Sequence, residues 1–199
     1  MREVLASLDT VPNAALPTRF GPFRIYGFES EEDDEQLVAL VRRPLSDQRP
    51  TLVRIHSQCV TGDIFHSLRC DCGEQLEQAL QRIAEAGSGV LLYQFQEGRG
   101  IGLINKLHAY QFQDQGVDTV EANARLGFEA DLRCYRFCAL VLLRLGISRI
   151  RLMSNNPEKI RGLEAEGLQV VERVPLVVEP SPVSQEYLKT KREKLGHLL

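Results

Sequence analysis

Apolar and polar positions along the chain change their period several times, and each change marks an element. Across residues 20–28 aromatic positions alternate with polar or small ones around Gly21 and Pro22; the acidic run 31–35 follows, and residues 37–41 are apolar again. This pattern predicts a hairpin whose charged connection is solvated. Residues 52–55 continue the strand signal and lead into a cysteine-rich stretch. From Gly73 the period lengthens, because Leu76, Leu80, Ile83 and Ala84 share one helical face until Gly87 closes it. The pattern then predicts a buried strand at 89–95, helices at 101–113 and 130–145, a strand at 149–153, a helix at 157–166 and a strand at 168–174. Residues 186–199 read as a lysine-rich helix whose Lys189, Lys191, Arg192 and Lys194 form a solvated face. Residues 1–18 contain Pro12 and Pro17 and follow neither period. They read as a loosely held leader before a single domain at 19–199. Strands alternating with helices imply an α/β fold: a mixed, largely parallel sheet covered by helices as a three-layer sandwich, with an N-terminal antiparallel β portion and sites at strand ends.

Composition narrows the function. The chain has 199 residues, 43% of them hydrophobic and 26% charged, which excludes disorder and coiled coil. A net charge of -3 excludes a protein that grips nucleic acid by bulk positive field, so an anionic ligand must meet a local cluster of cations. The longest apolar runs, 90–93 and 139–143, fall far short of the roughly 18 residues that span a bilayer. Five cysteines make an odd number, and the first residues lack the apolar core of a secretory signal. The expected compartment is the cytoplasm, with reduced thiols serving as metal ligands or as core.

Spacing separates those two uses. Cys59, Cys70 and Cys72 lie in CVTGDIFHSLRCDCG, three soft ligands on a loop that suit zinc. Either the fourth position is open to water or His56 or His66 closes it. Cys134 and Cys138 are four apart beside Leu142 and Leu145, a helical spacing that predicts buried packing. In QEGRGIGLINK, Gly98, Gly100 and Gly102 permit close backbone approach to a ligand, and Arg99 can pair with phosphate. MSNNPEK places a capping Asn156 and Pro157 at a helix start, yet also Lys159, a cation that is unfavourable there without an anion. Asp131 and Arg133 are expected to open the 130–145 helix, where an Asp is ordinarily a dipole partner, and Tyr110 reads as a core aromatic or a site residue. Together these features imply a zinc enzyme acting on a phosphate-bearing substrate.

RIHSQCVTGD, SLRCDCG, QEGRGIGL, DTVEAN, LGFEAD, SNNPEK and VERVPL occur in an order that resembles the GTP cyclohydrolase II family, from about Leu16 to the C-terminus. The resemblance implies opening of the guanine imidazole ring of GTP with release of formate and pyrophosphate, the first step of riboflavin synthesis. It implies Zn2+ on Cys59, Cys70 and Cys72, a requirement for Mg2+, and a homodimer. Arg133 matches the family's proposed nucleophile toward the α-phosphorus, with phosphate stabilisation as the alternative. Asp131 matches its proton acceptor, and Tyr110 the tyrosine linked with ring opening. The matching substrate-binding residues are Arg54, Ile55, His56, Ser57, Gln58, Gln75, Glu97, Gly98, Arg99, Thr119, Ser154 and Lys159, with Glu97 able to accept from guanine N1 and the 2-amino group. Gln58, Ser154, His108 and Cys134 depart from the commoner Glu, Thr, Arg and acidic residue. Homologues that stop at the formamidopyrimidine lack the tyrosine, so Tyr110 predicts deformylation. The length predicts a monofunctional form, and a catalytically silent zinc-stabilised nucleotide-binding module is the alternative from another class.

Overall fold

In a computed structural model that describes residues 8–198 apart from 31, 33, 34, 46–48, 180 and 182, seven strands share one sheet. They are β1 (Asn13–Thr18), β2 (Gly21–Glu29), β3 (Gln36–Arg42), β4 (Thr51–Ser57), β5 (Gly89–Gln94), β6 (Arg149–Met153) and β7 (Gln169–Val174). Their order is β1-β2-β3-β5-β4-β6-β7. β1 with β2, β2 with β3 and β3 with β5 pair antiparallel, whereas β5 with β4, β4 with β6 and β6 with β7 pair parallel. Only β1 and β3 therefore run against the rest, which is the mixed, largely parallel sheet with an antiparallel N-terminal portion that the pattern predicts. The helices are α1 (Val60–Asp63), α2 (Cys72–Ala86), α3 (Leu103–Gln113), α4 (Thr119–Arg125), α5 (Arg136–Arg144), α6 (Pro157–Ala165) and α7 (Gln185–Leu195). No helix among the described residues is long and apolar enough to cross a membrane.

The apolar run of β5 explains the layering, because alternate side chains must be covered on both faces. Val90 and Leu92 join Val53, Ile55, Ile150 and Leu152 beneath Cys138, Ala139 and Leu142 of α5 and Leu163 of α6. Leu91 turns the other way and packs with Phe23 and Met153 beneath Ala79 and Ile83 of α2. The result is helix, sheet and helix in three layers. α2 ends where Gly87 takes a left-handed φ of 71°, as its sequence implies. The acidic connection is visible only in part: Glu31, Asp33 and Asp34 lie outside the described residues, as do residues 1–7 of the expected leader and Leu199.

Three expectations change. Residues 13–18, assigned to the leader, form β1 and pair with β2 from Asn13 opposite Tyr26 to Thr18 opposite Gly21. β1 is an edge strand with mostly exposed side chains, so it needs no apolar alternation, and Pro17 is tolerated there. Helix α5 begins at Arg136 rather than at 130, because the preceding backbone is bonded to the glycine loop after β5. Leu132 N donates to Arg99 O at 3.0 Å, Ala130 O accepts from Arg99 Nη1 at 2.7 Å, and Cys134 N donates to Gln96 Oε1 at 3.1 Å. Asp131 and Arg133 therefore sit on an irregular segment. Cys134, ahead of the helix, is exposed instead of packed, while Cys138 is buried. The short α4, which the apolar pattern does not signal, is capped by Asp118, whose carboxylate accepts from Val120 N and Glu121 N.

Candidate active site

The parallel strands β5, β4 and β6 are neighbours, and the chain leaving each of their carboxyl ends contributes to one cavity. Residues 54–59 come from the end of β4, the glycine loop from β5, and Ser154 to Lys159 from β6. Of the expected site residues, Arg54, His56, Ser57, Gln58, Cys59, Cys70, Cys72, Gln75, Glu97, Gly98, Arg99, Tyr110, Thr119, Arg133, Ser154 and Lys159 line the cavity. Ile55 does not: its side chain is in the core, and only its carbonyl reaches the site, accepting from Lys159 Nζ at 2.7 Å. Asp131 stands behind Arg133 and holds it.

Cys59 precedes α1 and Cys72 opens α2, which brings the three sulfurs within 4.8 Å of one another. Cys59 Sγ and Cys70 Sγ are 3.7 Å apart, within hydrogen-bond reach and without a disulfide between them. Tetrahedral coordination with Zn–S bonds of about 2.3 Å puts sulfurs about 3.8 Å apart, so the donor set and its geometry fit zinc. The cluster comprises these three donors among the described residues, and neither His56 nor His66 joins it. Hydrogen bonds from Cys70 and Cys72 hold the Cys59 thiol far below its ordinary pKa, while the same sharing pushes Cys70 up to about 11 and raises Cys72. Glycine makes the loop geometry possible. A Cβ on Gly62 would lie 3.0–3.2 Å from Cys72 Cβ, Cys70 Sγ and Cys59 Sγ, and one on Gly73 would lie 2.3 Å from the Gly62 carbonyl oxygen.

Asp63, which the resemblance leaves without a role, braces this loop. Its carboxylate meets His56 Nε2 at 2.9 and 3.1 Å and accepts from Cys59 N at 3.0 Å and Tyr93 OH at 2.8 Å. His56 stacks on Tyr93, and its Nδ1, like Ser57 Oγ, is buried without a hydrogen-bond partner among the described residues. Burial lowers the pKa of His56, which keeps the ring neutral.

The glycine loop forms a 3-10 turn, Glu97–Gly100, in which Gly98 and Arg99 both take left-handed φ, 62° and 63°. For Arg99 this costs about 1 kcal/mol or more, and tertiary bonds must hold it. Its guanidinium donates to Ala130 O, to Thr119 O at 3.0 Å and to Thr119 Oγ1 at 2.7 Å. Thr119 thus positions the guanidinium of Arg99. Gln75 accepts from Arg54 Nη2 at 2.6 Å and donates to Asp71. Ser154 is buried and accepts from Asn156 N at 3.1 Å, shaping the start of α6. Glu97 is already engaged: its carboxylate accepts from Val60 N at 2.7 Å, Gly98 N at 2.9 Å and Lys106 Nζ at 2.8 Å.

Electrostatics divides the cations of the cavity into two sets. Lys106, Arg133 and Lys191 are paired with Glu97, Asp131 and Asp71. Arg54, Arg99 and Lys159 have no carboxylate partner among the described residues and rest on carbonyl, hydroxyl and amide oxygens. Burial lowers Arg54 to about 10, and burial together with Arg54 and Arg133 drives Lys159 well below its ordinary value. Both shifts mean that the charged forms are disfavoured by burial, and a bound anion would relieve that cost. At Arg133 burial opposes the charge but is outweighed by Asp131, which grips Nε and Nη2 and raises the guanidinium above its usual pKa. Tyr110 OH lies 3.3 Å from Thr61 Oγ1, its ring lies under Arg69, and burial raises its pKa, so the phenol stays protonated.

The expected solvated face at the C-terminus is corrected at one residue. Lys189, Arg192 and Lys194 are exposed, but Lys191 turns inward, donates to Asp71 Oδ1 at 2.9 Å and lies 4.5 Å from the centre of the Tyr187 ring. Tyr187, Lys191, Leu195 and His197 form a wall of the cavity. Tyr187, Leu195, His197 and Lys106 belong to no motif in the sequence, and Lys191 reads there as part of the solvated face.

A thiol trio able to hold a metal faces cations without carboxylate partners among the described residues, at the carboxyl edge of an α/β sheet. The chain belongs to the GTP cyclohydrolase II family, whose sequence model matches residues 9–175. GTP cyclohydrolase-2 of Histophilus somni is 52% identical over 195 residues, covering 98% of this chain and 90% of that protein. GTP cyclohydrolase-2 of Buchnera aphidicola subsp. Acyrthosiphon pisum is 52% identical over 192 residues, with 96% and 99% covered. The riboflavin biosynthesis protein RibBA of Chlorobium phaeovibrioides is 56% identical over 184 residues, and this chain spans 45% of its length. A two-domain 3,4-dihydroxy-2-butanone 4-phosphate synthase from A. baumannii matches at a TM-score of 0.46 and 16% identity, over 84% of this chain and 39% of that one.

Proposed function

We propose that this chain opens the imidazole ring of GTP with release of formate and pyrophosphate, the first step of riboflavin biosynthesis, as a cytoplasmic homodimer. The observation that carries the reading is one cavity shared by a metal-competent thiol trio and three cations without carboxylates. GTP answers both halves, with a polyanionic tail for the cations and an electrophilic C8 for hydrolysis. Cys59, Cys70 and Cys72 would hold Zn2+, which would supply Lewis-acid activation of water at neutral pH. Mg2+ accompanies the triphosphate.

The chain's own residues do the rest. Among the described residues Arg54 Nε has no partner and Lys159 spends one of its three N–H groups on a carbonyl, so both retain donors for phosphate oxygens. Arg133, raised in pKa by Asp131, remains a cation; it stabilises charge developing at the α-phosphate rather than attacking phosphorus. Asp131, with both oxygens on Arg133, fixes the direction of that fork. Protonated Tyr110 donates a hydrogen bond or proton during ring opening. Glu97 accepts three bonds from the protein and keeps one acceptor position on Oε2, so that oxygen, Nδ1 of His56 and Oγ of Ser57 are offered to the base edge.

Cys70→Ser tests the reading. Incubated with GTP and Mg2+, the variant is expected to lose zinc by metal analysis and to lose formate release, while pyrophosphate release partly survives. Retention of both zinc and formate release would refute the assignment.

A further inference from the structure

Lys106, one turn before Tyr110 on α3, is 8% exposed and carries an ammonium wholly consumed by the protein. Nζ donates to Cys59 Sγ at 3.2 Å, to Thr61 Oγ1 at 2.9 Å and to Glu97 Oε1 at 2.8 Å. An ammonium has three N–H groups, and all three are spent, so none is left for a substrate phosphate. Burying this charge is costly, and an apolar side chain would fill the space more cheaply, so packing alone does not account for a lysine here. What its charge meets is a sulfur of the thiol trio.

We propose that Lys106 is a positioning residue for the metal centre: it orients the Cys59 thiolate and draws charge from it. The proposal rests on the zinc reading given above. Three thiolates around a divalent cation sum to a charge of -1 in a buried pocket, and the ammonium, itself balanced by Glu97 on its far side, sets an N–H donor and a positive end against that charge. A thiolate that accepts a hydrogen bond donates less charge to its metal, which leaves the metal a stronger Lewis acid. Glu97 and Thr61 aim the ammonium. Glu97 also bonds Val60 N and Gly98 N, so the same carboxylate ties the glycine loop to the metal loop and holds Lys106 against sulfur.

The test uses the full chain with Co2+ in place of zinc. Wild type is expected to show tetrahedral d–d bands and a sulfur-to-cobalt charge-transfer band. Their absence would overturn the zinc reading and this inference with it. With those bands present, Lys106→Met isolates the inference, because loss of the ammonium raises the energy of the sulfur lone pair and the charge-transfer band moves to longer wavelength. Lys106→Arg, which keeps a charged donor, is expected to restore the band toward its wild-type position, and Lys106→Gln, a neutral donor, to fall between. Should the methionine variant fail to fold, the glutamine variant reads a smaller shift in the same direction. A band that coincides with wild type in the variants lacking the charge would overturn the proposal.

Discussion

Lys159 shows what a single residue concedes to function. Its ammonium is buried with one carbonyl partner, beside the equally buried Arg54. Its folded pKa lies below the ordinary lysine value, so above that folded pKa the unfolded chain binds more protons, and this residue makes stability rise with pH until about 10.5. Lys159→Met removes the strained charge. We expect a higher melting temperature, loss of that alkaline slope, and a KM for GTP raised by about tenfold to a hundredfold, the scale of one charge-assisted hydrogen bond. Thermal scans across pH and initial-rate kinetics measure both. Residues such as Cys59, Cys70, Cys72 and Lys159 were legible because their types are improbable in that spacing or place. Lys106 and Asp63 were not, because a charged residue in a helix or turn looks solvated until the fold buries it against a partner distant in sequence.

At the scale of elements, α7 is the part that pattern reading undervalued. Its polar composition says surface, and most of its cations are at the surface, yet Lys191 reaches Asp71 between two of the cysteines, and Leu198 N bonds Asn155 O at 2.8 Å. His197 enters the cationic cavity neutral, because burial, Lys191 and Arg133 lower its pKa to about 3. Its folded pKa is below the unfolded value of about 6.5, so the unfolded chain binds the extra proton and stability falls as pH drops from 6.5 toward 3. His197→Gln is expected to flatten that part of the stability profile, as measured by denaturant titrations at a series of pH values; an unchanged profile would count against the burial of the ring. The misplaced start of α5 has a similar cause. Residues 130–135 have acceptable helix formers, but Arg99, Gln94 and Gln96 claim their backbone groups. Such tertiary capture leaves no local trace.

For the whole molecule, the alternation of strands and helices was enough to foresee the layered sheet, since parallel strands need crossovers and a strand buried on both faces reads as a continuous apolar run. The edge strand β1 was hidden for the converse reason: few of its side chains are buried, and the pattern on which strand prediction rests is absent. The topology also accounts for the site. At the carboxyl ends of β5, β4 and β6 a glycine loop, a thiol loop and a capped helix start become neighbours although they begin at Glu97, Cys59 and Asn156 in the sequence. The central claim is that this convergence hydrolyses GTP at the ring. Its most direct test is to incubate zinc-loaded protein with GTP and Mg2+ while following formate and pyrophosphate together. The account predicts equimolar release of the two as the GTP absorbance changes; metal-loaded, folded protein that leaves GTP unaltered and releases no formate would contradict it.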